Sequence, residues 1–413
     1  MVIVSLVVSI VLVLILVNRK VNIGYSLIIS GTLLALLNGR SVKDILDIAI
    51  NTISDYNTIS LALTIGLITV LSYLMDKFLI LDRMILSLES VLRSVKFTIL
   101  FAPAIIGTLL VSGGALMSCP VVNSLGDKIG LPNDKKASIN MIFRHALYFI
   151  FPLSPPIILA AQLGGFDMWD FIKLQLPMSI AMYILGYVVL LRGYNNPKKE
   201  KIEPKKYLAS VINFLLYSSP ILISLLGAVI FDLPFYITLL IGITFSIFIN
   251  IYDKRKDEKY DTKESFIKSV YKGFKPKMVI AILGIMLFKN VVNDIDEIYL
   301  YLYSLLEKGM PLELLIIISC VAISFPTAST QSGIALLFPM ILPLAATYEI
   351  KLSYAMFIYT TAFMSYYASP LHLCQVLTLE YFGVKVKELF KNYYFILPAT
   401  YLVMVIIYIL RII

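Results

Sequence analysis

Tryptophan, histidine and cysteine are nearly missing from this chain of 413 residues, at one, two and three copies. Cys119, Cys320 and Cys374 form no C-x-x-C pair and lie inside apolar stretches, so no disulfide framework or zinc site is expected. The two histidines, His145 and His372, lie too far apart in sequence to form a His-Glu-x-x-His metalloprotease helix. Charge is scarce too. Asp, Glu, Lys and Arg make up 15% of the residues and apolar types 59%, where soluble domains carry roughly 25% and 45–50%. With a mean hydropathy of +0.87, this balance excludes a disordered chain, a nucleic-acid-binding module and a soluble enzyme with one buried core. What remains is an all-α polytopic membrane protein, with lipid as its first partner.

The net charge of +9 points to topology rather than to nucleic acid, because Lys and Arg sit almost wholly in short loops between apolar runs. Residues 2–17 lack the basic start and the cleavage site of a signal peptide, and Asn18-Arg19-Lys20 leads into another apolar run. They are expected to be a retained first span.

A span needs about 20 apolar residues. The candidates are 2–17, 21–38, 58–75, 137–163, 170–191, 208–230, 234–251, 276–293, 352–381 and 392–411. Between them, 41–54, 78–94, 262–275 and 294–310 space their apolar residues three or four apart beside charges, as interfacial helices do. Residues 97–126 and 314–348 hold no charge at all, and break in the middle at Ser112-Gly113-Gly114 and at Thr327-Ala328-Ser329-Thr330-Gln331-Ser332-Gly333. Each is too long for one span and too short for two. A re-entrant hairpin fits, its non-helical tip buried in protein or lining a cavity.

Charge tests that reading. With ten spans, two re-entrant hairpins and both termini outside, the inside segments are 18–20, 77–96, 127–136, 192–207, 252–277 and 383–391. They collect 27 of the 35 Lys and Arg residues, as the positive-inside rule requires. The order of elements then repeats. A first repeat, 1–192, holds spans 2–17, 21–38 and 58–75, hairpin 97–126, broken span 137–163 and span 170–191. A basic cytoplasmic linker, 193–207, leads to a second repeat, 208–413, with spans 208–230, 234–251 and 276–293, hairpin 314–348, broken span 352–381 and span 392–411. Gly114 to Pro120 has the spacing of Gly333 to Pro339, and Met141 to Ser154-Pro155 that of Met356 to Ser369-Pro370. Five spans per repeat invert the second half relative to the first.

Inverted repeats with helices broken at matching positions are the pattern of secondary transporters. A broken helix exposes N–H groups at one new end and C=O groups at the other, which attract anions and cations respectively. The expected site takes Ser112, Gly113, Gly114, Ser118 and Asn123 from the first hairpin and Ser154 from the first broken span. The second hairpin supplies Thr327, Ser329, Thr330, Gln331, Ser332 and Gly333, and the second broken span Ser369 and His372. Small residues also serve close helix packing; their recurrence at corresponding places favours a site. Arg144 is a candidate counter-charge for an anionic solute, or a side chain reaching to the cytoplasmic surface. His372 is a candidate proton carrier, or a hydrogen-bonding core residue. No metal and no cofactor is expected beyond a coupling proton or sodium ion.

On Ser112-Gly113-Gly114-Ala115-Leu116-Met117-Ser118 and Ala368-Ser369-Pro370-Leu371-His372-Leu373-Cys374, the chain resembles the ion-transporter superfamily of dicarboxylate, citrate, gluconate and arsenite carriers. Within it, these motifs are most similar to the ten-helix integral membrane family called domain of unknown function 401. The resemblance implies a scaffold of outer spans, a mobile domain of hairpins and broken spans, and a homodimer. The sodium-coupled dicarboxylate carriers of that superfamily have Ser-Asn-Thr at each tip. Here the tips read Ser112-Gly113-Gly114 and Ser329-Thr330-Gln331, so neither their carboxylate recognition nor their sodium coupling carries over.

The expected function is secondary active transport of a small, anionic organic solute across the cytoplasmic membrane by alternating access. The alternatives are an inorganic-ion carrier such as a cation/proton antiporter, which usually needs a mid-span carboxylate, and an intramembrane enzyme, for which neither paired aspartates nor a zinc-binding helix is present.

Overall fold

The computed structural model describes residues 2–108, 114–197, 203–231, 233–256 and 266–412. Among them the chain forms twenty α-helices and no strand, the fold of an all-α polytopic membrane protein. Helix is the outcome that hydrocarbon enforces, because each span must satisfy its own backbone hydrogen bonds. The first ten are α1 (Val2–Asn18), α2 (Ile23–Leu37), α3 (Val42–Ser54), α4 (Tyr56–Lys77), α5 (Ile80–Leu92), α6 (Val95–Thr108), α7 (Gly114–Asp127), α8 (Asn133–Ala146), α9 (Pro155–Gly164) and α10 (Met168–Gly186). The second ten are α11 (Pro204–Phe231), α12 (Phe235–Lys256), α13 (Phe266–Gly273), α14 (Pro276–Asn293), α15 (Asp296–Glu307), α16 (Leu312–Thr327), α17 (Thr330–Ile341), α18 (Tyr348–Ala368), α19 (Leu373–Phe382) and α20 (Val386–Ile412).

Among the described residues, six stretches are long and apolar enough to cross a bilayer: Tyr56–Lys77, Met168–Leu191, Pro204–Phe231, Phe235–Asp253, Phe266–Asn293 and Val386–Ile412. α11 and α20 bury little of their length. Their exposed Leu208, Leu215, Phe231, Phe395 and Leu410 are the surface that lipid would cover. The expected interfacial pieces are short helices α3, α5, α13 and α15. Ser41 and Asp44 close a capping box at the start of α3, and Asp55 accepts from the Thr58 amide to start α4. Ser112 and Gly113 of the expected first tip lie outside the described residues, as do Lys198, Lys199 and Lys201 of the expected linker.

Glycine decides the tightest helix crossing. α2 runs beside α14, and a Cβ on Gly284 would stand 2.6 Å from Gly24 Cα, with the Gly24 carbonyl oxygen closer still. A Cβ on Gly24 would meet the Ile280 carbonyl and lie 2.7 Å from the Ala281 nitrogen. The backbones therefore touch, as small residues allow in membrane helices. Polar contacts hold both ends of this pair: Asn22 Nδ2 donates to the Lys277 carbonyl at 3.0 Å, and Arg40 Nε pairs with Asp294 Oδ2 at 2.7 Å.

The remaining framework follows from side-chain packing. α12 lies on α4, α11 on α5 and α12, and α10 on α20. Arg83 of α5 pairs with buried Asp253 of α12 beneath the Tyr217 ring, whose centroid is 4.6 Å from the guanidinium carbon. α6 and α7 pack on one another and on α8; α16 and α17 pack on one another and on α18. α9 lies along α17 and α19 along α7. The two interrupted segments are thereby brought against the hairpins of opposite ends of the chain.

Candidate functional site

The two interruptions differ in length. α8 ends at Ala146, a 3-10 turn covers Leu147–Phe149, and the chain stays non-helical until Pro155 starts α9. Two prolines in succession, Pro155 and Pro156, preset the helical φ and bring no N–H, so a new helix begins there with fewer amides to satisfy. The second break is shorter. Ser369 ends α18 in an extended conformation, its Oγ accepts from the Leu371 amide at 3.2 Å, and α19 begins at Leu373.

The second hairpin turns within two residues. Ala328 takes a left-handed conformation, φ 45°, which an alanine adopts only where the surroundings enforce it. Ser329 then caps α17, its Oγ accepting from the Ser332 amide at 3.2 Å. Gly333 lies where a Cβ would stand 2.9 Å from Ala362 Cβ and nearer still to Ser324 Oγ, so this glycine lets α17 press against both α16 and α18.

Several candidate side chains are buried without hydrogen-bond partners. Among them are Ser154 Oγ, Thr330 Oγ1, Ser332 Oγ and both ring nitrogens of His372. Buried polar atoms are nearly always paired in folded proteins, so orphaned ones are a signal of a ligand or water. Thr327, by contrast, spends its hydroxyl on the Ile323 carbonyl at 2.7 Å. Gln331 is half-buried. Asn123 accepts from Lys136 Nζ at 2.9 Å; Lys136 also pairs with Asp127 at 2.5 Å, a bridge between α7 and α8.

Arg144 is 7% exposed, on the last turn of α8. Its Nη1 lies 3.4 Å from Ser118 Oγ, which in turn donates to the Ala115 carbonyl at 3.1 Å. Gly107 makes room: a Cβ there would meet the Arg144 carbonyl and lie 2.7 Å from Arg144 Cγ. Arg144 and Ser154 line one small cleft with Gly107, Thr108, Leu147, Tyr148, Phe151 and Pro155. Its volume is about 20 Å³, room for a single water. A buried guanidinium beside two hydroxyls is a place for an anion.

His372 meets residues that the sequence pattern does not single out with it. Its ring lies edge to face with His145, centroids 4.9 Å apart, and 4.1 Å from the Tyr366 ring. Tyr366 Oη is 3.4 Å from His145 Nε2, and the Tyr367 ring lies 5.2 Å from that of His145. Asn140 is another buried polar residue absent from the expected site; it donates to Thr378 Oγ1 at 2.9 Å and so links α8 to α19. Its signal was an amide inside an apolar span.

No curated protein matches the sequence. The fold is similar to that of the YdaH transporter of Alcanivorax borkumensis, a crystal structure with what its description calls an unusual topology. The TM-score is 0.56 at 13% identity, covering 84% of this chain and 85% of that one, a likeness of fold alone. The model of a family described as proteins of unknown function, DUF401, matches residues 1–412, and the chain belongs to that family.

Proposed function

We propose that the protein is a secondary active transporter, moving a small anionic organic solute across the cytoplasmic membrane by alternating access with proton or sodium coupling. The observation that carries this reading is a paired pattern of helix contacts. α2 on α14 is matched by α12 on α4, α6 on α8 by α16 on α18, α7 on α19 by α17 on α9, and α10 on α8 by α20 on α18. Shifting every helix by ten exchanges the members of each pair, as a two-fold relation between residues 1–192 and 208–413 would. Two such halves, each with a hairpin and a broken span, form the machinery of alternating access.

Polar contacts support the inverted arrangement, with both termini on one side of the membrane. Asn22 with Lys277, Arg83 with Asp253, Lys128 with Glu89 and Asn392 with Asp134 each join residues in segments expected inside or at the inner ends of the adjoining spans. Arg40 with Asp294, Tyr348 with Asp170 and Arg411 with Glu349 each join residues expected outside or at the outer ends of the adjoining spans and hairpin. The likeness to a transporter agrees with this reading. Arg144 supplies the counter-charge for the anion, Ser154 a hydroxyl donor, and His372 the candidate proton site. The broken spans would move with their hairpins within a homodimeric scaffold.

A thermal-shift screen of the purified protein tests it, using organic anions, amino acids and inorganic oxyanions with sodium or potassium at two pH values. A ligand at 100 times its Kd adds about 2.7 kcal/mol. The expected result is stabilisation by an organic anion that is lost in Arg144→Gln. Stabilisation by cations alone, retained in Arg144→Gln, would turn the reading towards an inorganic-ion carrier.

A further inference from the structure

His145 closes α8, while His372 and Cys374 flank the start of α19. One ring nitrogen of each histidine and the Cys374 sulfur lie within 4.8 Å of one another. Metal–nitrogen and metal–sulfur bonds of about 2.0 and 2.3 Å put ligand atoms roughly 3.3–3.8 Å apart. The cluster therefore closes on an ion with shifts of about 1 Å.

Two further observations point to a ligand. His145 Nδ1 lies 2.8 Å from the Met141 carbonyl. A carbonyl only accepts, so Nδ1 carries the proton and Nε2 is the lone-pair nitrogen; the long 3.4 Å contact it makes with Tyr366 Oη is the one a metal would displace. That is the arrangement by which metal-binding histidines are oriented through the second nitrogen. His372 is 1% exposed, and neither of its nitrogens has a hydrogen-bond partner. Coordination would satisfy one of them.

Charge selects the class of ion. Arg144, buried beside His145 in the last turn of α8, already brings one positive charge to this region. A divalent ion with one thiolate would leave a net positive charge beside it, whereas a monovalent ion with one thiolate is neutral. Thiolate and imidazole together favour Cu+ among monovalent metals. Tyr148, Phe363, Tyr366 and Tyr367 surround the His145 ring, with centroids between 5.2 and 6.5 Å away. Their bulk suits an ion content with three ligands and no water.

We propose that His145 Nε2, one His372 nitrogen and the Cys374 thiolate form a binding site for a soft monovalent metal ion, Cu+. Binding exchanges the Cys374 thiol proton for the metal, so one proton leaves for each ion bound. The site does not rest on the transporter reading.

The test is a competition in detergent under anaerobic, reducing conditions between the purified protein and a chromogenic Cu+ chelator. One Cu+ per chain should be retained. Cys374→Ser and His372→Asn should each lower the affinity at least about tenfold, while Cys320→Ala, whose sulfur faces the Ile358 carbonyl and is not part of the cluster, retains the ion as the wild type does. Size-exclusion chromatography confirms that each variant is folded, and Cys374→Ser carries the test alone if His372→Asn is not. Failure to retain Cu+, or unaltered retention by folded Cys374→Ser, overturns the proposal. A Co2+ complex with thiolate charge-transfer absorption in a protein that does not retain Cu+ overturns the choice of ion.

Discussion

The α2–α14 crossing allows a prediction whose sign is set by two opposed terms. On an exposed helix, Gly→Ala stabilises by about 1 kcal/mol, because alanine loses less backbone freedom. At Gly284 the new methyl would sit 2.6 Å from Gly24 Cα and 2.7 Å from the Gly24 carbonyl carbon. These obstacles are backbone and cannot rotate away, so the helices must separate. Overpacking costs typically about 1–3 kcal/mol, and a backbone obstacle belongs at the upper end. Setting about 3 against about 1 leaves a net loss of about 2 kcal/mol for Gly284→Ala, and Gly24→Ala should behave alike. Denaturant titration of the purified variants in mixed micelles measures it. Gly193→Ala serves as a control, since a Cβ there meets nothing within 4 Å. If Gly284→Ala and Gly24→Ala both equal or exceed the wild type in stability, the helices do not cross in backbone contact and the reasoning fails.

Other consequences follow from the same coordinates. Gly333→Val should abolish solute uptake in proteoliposomes, because Ala362 Cβ and Ser324 block a branched side chain; full uptake would separate the second tip from the site. Asp253→Ala takes the buried carboxylate from the partly buried Arg83 guanidinium and should cost about 3 kcal/mol in the same denaturant titration. If His372 carries the coupled proton, His372→Ala flattens the pH profile of uptake. An unchanged profile removes that role.

Most helix positions are legible in the sequence because the apolar runs are long and charges punctuate them. The breaks at Ser154-Pro155 and Ser369-Pro370 are legible because proline cannot continue a hydrogen-bonded helix. The unequal length of the two breaks is not, since nothing in Leu147–Phe149 marks where α8 should stop. Part of the site was hidden for a related reason. The spacing of Met141 and Met356 puts Tyr359 opposite Arg144 and Thr360 opposite His145 in the repeat. The repeat thus carries the frame but not the chemistry within it. Tyr359 donates to the Tyr148 carbonyl at 2.6 Å, whereas Arg144 faces Ser118 and His145 faces His372. Which residues meet across more than 200 positions is decided by tertiary packing, and one sequence does not encode that contact in any local pattern. Gly24 and Gly284 are the same case: each is visible as a small residue, but neither names its partner.

The α2–α14 contact also sets an order of biogenesis. Gly24 leaves the ribosome about 260 residues before Gly284, and elongation at roughly 5–20 residues per second makes that an interval of tens of seconds. If α2 enters the bilayer as it is made, the face bearing Gly24 and Gly31, which α14 later covers, is open to lipid throughout that interval. α4 likewise waits for α12. The first half of the chain can insert early, but its second helix reaches its final seat only when the polypeptide is two-thirds made.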